Sequence, residues 1–302
     1  MKNYLLLTLF LSFVMVVLPF LSLSDNIGEK RLNPAKENEK VIVENTDTKA
    51  EIETDLFEYI VGSVSAEMPA SFEIEALKAQ AVASYTYKKY LSEKGNSAVS
   101  SNPEIHQGYK TRDELKELWG EKYELYIEKI ENAVESVFGE YLVSDEKTVP
   151  ALYHALSPGM TESAEFVFGN EVKALKSVVA PGDRLSPDYM SEKIFTKEEI
   201  CTLAKSETAD GSIEITDSSD SRYVKSITIF SKKYDGNEAR KLLGLNSPYF
   251  TVEESDGKYK FTVYGKGHGV GMSQYSADYM ARQGSTYKEI LLHFYSDCSI
   301  VK

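Results

Sequence analysis

An α+β fold is predicted by three observations. Helical periodicity dominates from about residue 55 to 138. Strand-like runs dominate afterwards, and the two do not alternate as a doubly wound sheet requires. The expected body is one elongated domain over residues 51–302, helical in its N-terminal part and mixed strand and helix in its C-terminal part. It is reached through a linker at 25–50 from an apolar segment at 1–24.

Residues 4–23 carry no charge and are long enough to span a hydrocarbon core of about 30 Å as a helix. Lys2 would stay on the cytoplasmic side. A cleaved signal peptide competes with this reading, because Ser22-Leu23-Ser24 supplies small residues for a peptidase. The length of the apolar run favours an anchor, and on either reading the body works outside the cytoplasm. Residues 25–50 are charged, poor in aromatics and broken by Pro34, as expected of a solvated linker.

Asp55 with Glu58 resembles a capping box and starts a helix through Glu67. Leu56, Ile60 and Val64 lie at helical spacing back from Glu67, which puts this carboxylate on the buried stripe. Pro69 forces Met68 out of helical geometry and ends the helix at Glu67. A carboxyl desolvated there has a raised pKa, which suits a general acid. Ser71 is the expected cap of a second helix over about 72–93, closed by Gly95. Its alanines at 76, 79, 81 and 83 permit close approach of a neighbour.

A polar loop at 96–110 holds His106-Gln107, and residues 111–138 read as helical. Strand-like runs follow at 140–143, 149–154, 224–230 and 260–264, with a Ser/Asp/Thr-rich loop or edge at 205–222. Gly265-Lys-Gly-His-Gly-Val-Gly271 then leads into a helix from about Ser273 to Gln283. Thr286 and Glu289 fit a capping box for a last helix through Phe294. The glycine run lacks the Gly-Lys-Ser/Thr order of a phosphate loop and the βαβ context of a dinucleotide site. Its backbone N–H groups are expected to suit a sugar or anion lying close to the chain.

The net charge of −13, with no basic stripe, argues against binding to duplex nucleic acid. The two cysteines, Cys201 and Cys298, are free to pair outside the cytoplasm only if geometry allows. Four scattered histidines and no Cys-x-x-Cys give no structural zinc pattern, and no metal or other cofactor is expected.

Glu67-Met-Pro-Ala70, Glu75-Ala-Leu-Lys-Ala-Gln-Ala-Val-Ala83 and Gly267-His-Gly-Val-Gly-Met-Ser-Gln-Tyr275 resemble the stage II sporulation protein D family, which includes amidase-enhancer proteins. Tyr153-His-Ala-Leu-Ser-Pro-Gly-Met-Thr-Glu162 is similar to the family's serine loop. The likeness runs from about residue 55 to the C-terminus. It implies a peptidoglycan lytic transglycosylase that prefers glycan strands stripped of stem peptides and acts in engulfment. It also implies partnership with the stage II sporulation amidase, protein P, and with a membrane partner. Glu67 matches the family's catalytic glutamate. Ser157, Thr161, His268, Gln274, Tyr275 and Tyr85 are the expected substrate contacts.

This chain departs from the family pattern in places. Tyr85 stands where the family usually has an arginine, a natural sugar or carboxylate contact. Ala155, Pro158 and Met160 alter the serine loop. The Cys/His cluster that some relatives carry near His106-Gln107 lacks its cysteines here. The tyrosine at 85 also points to an alternative from another class, a glycan-binding activator of a cell-wall amidase that cleaves nothing.

Overall fold

Residues 39–302, apart from 46–48, 104 and 207–210, are described by a computed structural model. The apolar segment at 4–23 lies outside the described residues, and among those described no helix is long and apolar enough to cross a membrane. The body is α+β.

Residues 40–44, assigned above to the linker, instead form a strand, β1 (Lys40–Glu44). The alternation of Lys40-Val-Ile-Val-Glu44 explains this, since Val41 and Val43 are buried in the main core. β1 pairs antiparallel with β2 (Glu51–Asp55), which runs directly into α1 (Leu56–Glu67). The Asp55 side chain accepts from the Glu58 N–H at 2.8 Å and so caps α1. The Glu58 carboxylate does not close a box, because it is held by Arg112.

α2 (Ile74–Glu93) starts later than the sequence suggests, and Ser71 is not its cap. Instead the Glu73 N–H donates to Asp278 at 2.7 Å, so a distant carboxylate satisfies the helix entrance. β3 (Ala98–Ser100) adds parallel to β1. The single helix expected over 111–138 is two: α3 (Arg112–Trp119) and α4 (Tyr123–Val137). They are separated at Gly120, whose φ of 51° falls outside the helical region.

The strands β4 (Tyr141–Ser144), β5 (Lys147–Thr148) and β6 (Tyr153–His154) come next, then α5 (Ala164–Phe168). A second group of elements follows: β7 (Met190–Thr196), α6 (Lys197–Ala204), β8 (Ile213–Ser218), β9 (Val224–Ile229), β10 (Lys232–Asp235), α7 (Gly236–Leu243), β11 (Phe250–Ser255) and β12 (Lys258–Tyr264). They make two three-stranded antiparallel sheets, β10-β9-β8 and β11-β12-β7. The chain then returns through β13 (Met272–Ser273), α8 (Gln274–Arg282), α9 (Tyr287–Phe294) and β14 (Ser299–Val301). The Thr286–Glu289 capping box forms as expected.

Two hydrophobic cores result within the unit Lys40–Lys302. The larger gathers α1, α2, α4 and the C-terminal helices around Tyr59, Leu77, Ile130 and Phe294. The smaller fills the inserted sheets with Ile200, Ile227, Leu243 and Phe261. Cys201 packs against the smaller and Cys298 against the larger, and both are free thiols.

Candidate active site

Two stretches of chain remote in sequence meet Glu67, and both are braced by α2. The helix α1 carries it as its last residue, and Met68 already has extended φ and ψ of −126° and 134°. The first neighbour is the loop Gln107-Gly108, whose Gly108 N–H donates to Glu67 Oε1. That loop is clamped from three sides. Gln107 donates through Nε2 to the Tyr59 hydroxyl at 2.7 Å and to the Ser84 carbonyl at 3.3 Å. Its Oε1 accepts from the Tyr153 hydroxyl at 2.9 Å. Tyr59 and Gln107 are buried, and the Tyr59 ring stacks on Tyr109 with centroids 5.7 Å apart.

The second neighbour is Gln274. β13 pairs in parallel with β6, matching Met272 to Tyr153 and Ser273 to His154. This short ladder places Gln274, the first residue of α8, beside Glu67. The Gln274 amide donates to Gln80 Oε1 at 3.2 Å, which ties α8 to α2. Gln80 and Ser84 are one helical turn apart and share a face, linked by a 3.1 Å hydrogen bond.

Burial pushes the Glu67 carboxyl above its ordinary value of 4.5, and the Gly108 N–H and the Gln274 amide oppose the rise. No second carboxylate is among the described groups that shift it. Burial and the nearby Glu67 charge likewise push the Tyr153 hydroxyl well up, so it stays protonated and donates to Gln107.

The other expected contacts are distributed differently. Ser157 and Thr161 are fully buried and committed to the protein. The Ser157 N–H and hydroxyl both donate to Asp183 Oδ2 at 2.6 Å, and Thr161 exchanges hydrogen bonds with the Val178 backbone. Asp183 also accepts from the Ser273 and Ser276 hydroxyls at 2.7 Å, and so pins the start of α8 to the serine loop. The sequence gives no periodic signal for Asp183, Gln107 or Gly108. Only the turn composition of Pro181-Gly182-Asp183 marks the first of them.

Tyr275 follows Gln274 and is half-buried. Its ring meets Phe72 edge-on at 6.4 Å, and its hydroxyl donates to the Leu185 carbonyl at 3.4 Å. Tyr85 faces elsewhere. It packs on Phe138 and Tyr141 with centroids 5.8 and 6.4 Å away, whereas Ser84, about 100° round the helix, presents its carbonyl to Gln107.

The backbone of the glycine run is committed to the protein at its start. Three of its N–H groups donate to the protein backbone, Gly265 to Tyr189, Lys266 to Leu156 and Gly267 to Asn246, as does that of Met272, just beyond the run, to Leu152. The φ angles of Gly265, Gly267, Gly269 and Gly271 lie between 76° and 107°. A Cβ at 271 would sit 1.9 Å from the Leu152 carbonyl oxygen. Gly265, Gly267 and Gly271 are pressed against residues 152–157, and Gly269 against Tyr249. His268 is held in this run by accepting the Val270 N–H on Nδ1 at 3.1 Å, and its ring lies 5.9 Å from that of His154. Among the described residues no group of three or more His, Cys, Asp or Glu side chains is placed to hold a metal ion.

Chemically, this is a desolvated carboxyl with a raised pKa, fixed by one backbone N–H and flanked by a side-chain amide. It fits proton donation to an oxygen and its reversal.

The family model described as stage II sporulation protein matches residues 44–143, the stretch that holds Glu67, Gln80, Ser84 and Gly108. Over a longer span the chain is 37% identical to stage II sporulation protein D of Bacillus subtilis (strain 168) over 254 residues, covering 81% of this chain and 74% of that protein. It is 36% identical to stage II sporulation protein D of Bacillus amyloliquefaciens over 256 residues, with the same coverages of 81% and 74%. It is also 25% identical to the amidase enhancer of Bacillus subtilis (strain 168) over 294 residues, covering 78% of this chain and 39% of that protein.

Proposed function

The chain belongs to the stage II sporulation protein D family, and on that premise we propose that it is a peptidoglycan lytic transglycosylase acting on denuded glycan strands during engulfment. The observation that carries this reading is the placement of Glu67, half-buried, raised in pKa and without a partner carboxylate among the groups that shift it.

Glu67 protonates the glycosidic oxygen as the C1–O bond breaks. The muramyl C6 hydroxyl then bonds to C1 and returns its proton to the Glu67 carboxylate, leaving a 1,6-anhydro ring. No water is consumed. The second carboxylate of ordinary glycoside hydrolysis, which serves as nucleophile or as base for water, has no task here. The Gly108 N–H orients the acid, and Gln274 is placed to touch the sugar beside it.

The body works outside the cytoplasm, tethered through residues 4–23, with the stage II sporulation amidase and a membrane partner as neighbours. Mass spectrometry of denuded glycan digested by the full chain tests the reading. Anhydromuramyl ends are expected, and Glu67→Gln should lower their release by about 10²–10⁴-fold without loss of far-UV circular dichroism. Undiminished release by that variant refutes the assignment.

The similarity to an amidase enhancer favours a second reading, a glycan-binding activator that cleaves nothing. Retention on denuded sacculi and stimulation of an amidase, with no anhydro ends formed, would select it.

A further inference from the structure

A cavity of about 380 Å³ opens away from Glu67, and none of the groups that hold Glu67 lines it. One side comes from the segment after Asp183, with Arg184 and Tyr189. The other comes from the inserted sheets, with Tyr249, Tyr264 and the β8–β9 turn at Asp220–Arg222.

We propose that this cavity binds a sugar ring carrying its own carboxylate, with the tyrosines holding the ring and Arg184 and Arg222 holding the acid. Three observations lead there.

The first is charge. In a chain of net charge −13, two arginines line one cavity. Arg112 and Arg282 have carboxylate partners, whereas among the described residues Arg184 and Arg222 have none. Arg184 gives only its Nε–H, to the Pro158 carbonyl at 3.2 Å, which sets the guanidinium's direction and leaves its other N–H groups for an anion. Asp220 also lines the cavity and subtracts one charge, but it supplies an acceptor for ring hydroxyls.

The second is an unsatisfied polar atom. Tyr249 is wholly buried, and its hydroxyl has no hydrogen-bond partner. The neighbouring Ser221 hydroxyl bears on it while donating to Glu162 at 2.5 Å. A buried hydroxyl left unmade is costly, and a polar ligand atom in the cavity relieves it.

The third is shape. Tyr189 and Tyr264 lie with ring centroids 5.7 Å apart and form an aromatic wall. Tyrosine faces accept the C–H faces of a pyranose, and their hydroxyls meet its rim. The tyrosines and both arginines line this one cavity, so ring and acid are held side by side. That favours an ether-linked carboxylate over one at the far end of a peptide.

The inference rests on the proposed function for its source, since the muramyl residue of a peptide-free strand is such a sugar. The cavity is joined to the Glu67 site by a short path. Arg184 follows Asp183, whose carboxylate accepts from Ser273, the residue before Gln274.

The test is calorimetric titration of the full chain with an N-acetylglucosaminyl–N-acetylmuramic acid disaccharide. That disaccharide ends on the acidic sugar and offers no bond for transglycosylation. It is compared with the same disaccharide reduced at the carboxyl, and with one whose carboxyl is amide-linked to a stem peptide. The free acid should bind about tenfold or more tighter than either. Arg184→Gln combined with Arg222→Asn should abolish the preference, and Arg222→Asn alone should reduce it. Arg222 is exposed in a turn at φ 69°, a conformation asparagine tolerates, so folding is not at stake in the single variant. Equal binding of acid and alcohol, a preference unchanged in the double variant, or tightest binding of the peptide-linked form would overturn the proposal. Glycan cleavage does not enter this readout, so loss of the preference and loss of the transglycosylase reading are separate results.

Discussion

The Gly108 N–H donates to the Glu67 carboxyl, and a Cβ added at 108 would lie 2.9 Å from Glu67 Oε1 and 3.2 Å from the Ala66 Cβ. The nearest obstacle to a side chain at 108 is thus the end of the acid itself. That end can swing aside at small cost to folding but not to chemistry. Gly108→Ala should therefore lower activity by about 10²-fold, the cost of misplacing a reacting group by an ångström. The thermal midpoint should move by only a few degrees. An unchanged rate of anhydro-product release would show that Gly108 does not position the acid.

The corner that carries Glu67 was legible in the sequence, because apolar spacing, Asp55 and Pro69 each act locally on one helix. The partners of Glu67 were not. Gly108 and Gln107 belong to a loop with no periodicity, and they reach Glu67 only because Tyr59, Ser84 and Tyr153 clamp Gln107 from three elements. The surroundings of the glycine run were hidden for a related reason. Positive φ was implied by composition, but what the backbone meets depends on residues between about twenty and more than a hundred positions earlier, Asn246, Tyr189, Leu156 and Leu152. β1 was hidden because its charged flanks outweigh three apolar residues in any compositional window.

The raised pKa of Glu67 fixes the sign of two pH effects. In the folded chain the carboxyl keeps its proton above 4.5, where the unfolded chain has released it. Stability therefore falls as pH rises from about 4.5 through the folded value. Glu67→Gln, which keeps an acceptor for the Gly108 N–H, should remove that fall and raise the urea midpoint at neutral pH. Activity should drop on the alkaline side as the acid loses its proton. Gln274→Leu, lacking the amide that opposes the rise, should move that alkaline limb to higher pH. A limb at the same pH in both chains would exclude Gln274 as a group acting on Glu67.

Tyr85 stands where an arginine is expected, yet its ring belongs to an aromatic cluster with Phe138 and Tyr141. Tyr85→Phe should keep both stability and activity, because the ring contacts survive. Tyr85→Arg should cost about 1–3 kcal/mol through lost packing and bring no gain in cleavage. A rise in anhydro-product release in the arginine variant would mean instead that position 85 serves the substrate.

His154 and His268 make the last prediction. The Val270 carbonyl can only accept, so His154 carries its proton on Nδ1, 3.2 Å away. Its Nε2 is buried without a partner, so a second proton would have no acceptor. Burial lowers His154 from 6.5 to about 4. Burial first, then the His154 and Arg240 charges, lower His268 from 6.5 to about 3. Unfolding lets both rings bind protons that the folded chain refuses. Their contribution is therefore whole above pH 6.5 and is lost as pH falls toward 4 and below. For His154 the drop from 6.5 to about 4 corresponds to about 3 kcal/mol. Urea unfolding between pH 7 and pH 4 should show this loss. It is best measured in the Glu67→Gln chain, where the opposing slope of the carboxyl is gone. His154→Gln should flatten part of the remaining slope and leave the share of His268. An acid slope identical with and without His154 would rule out proton refusal at this ring as a source of acid lability.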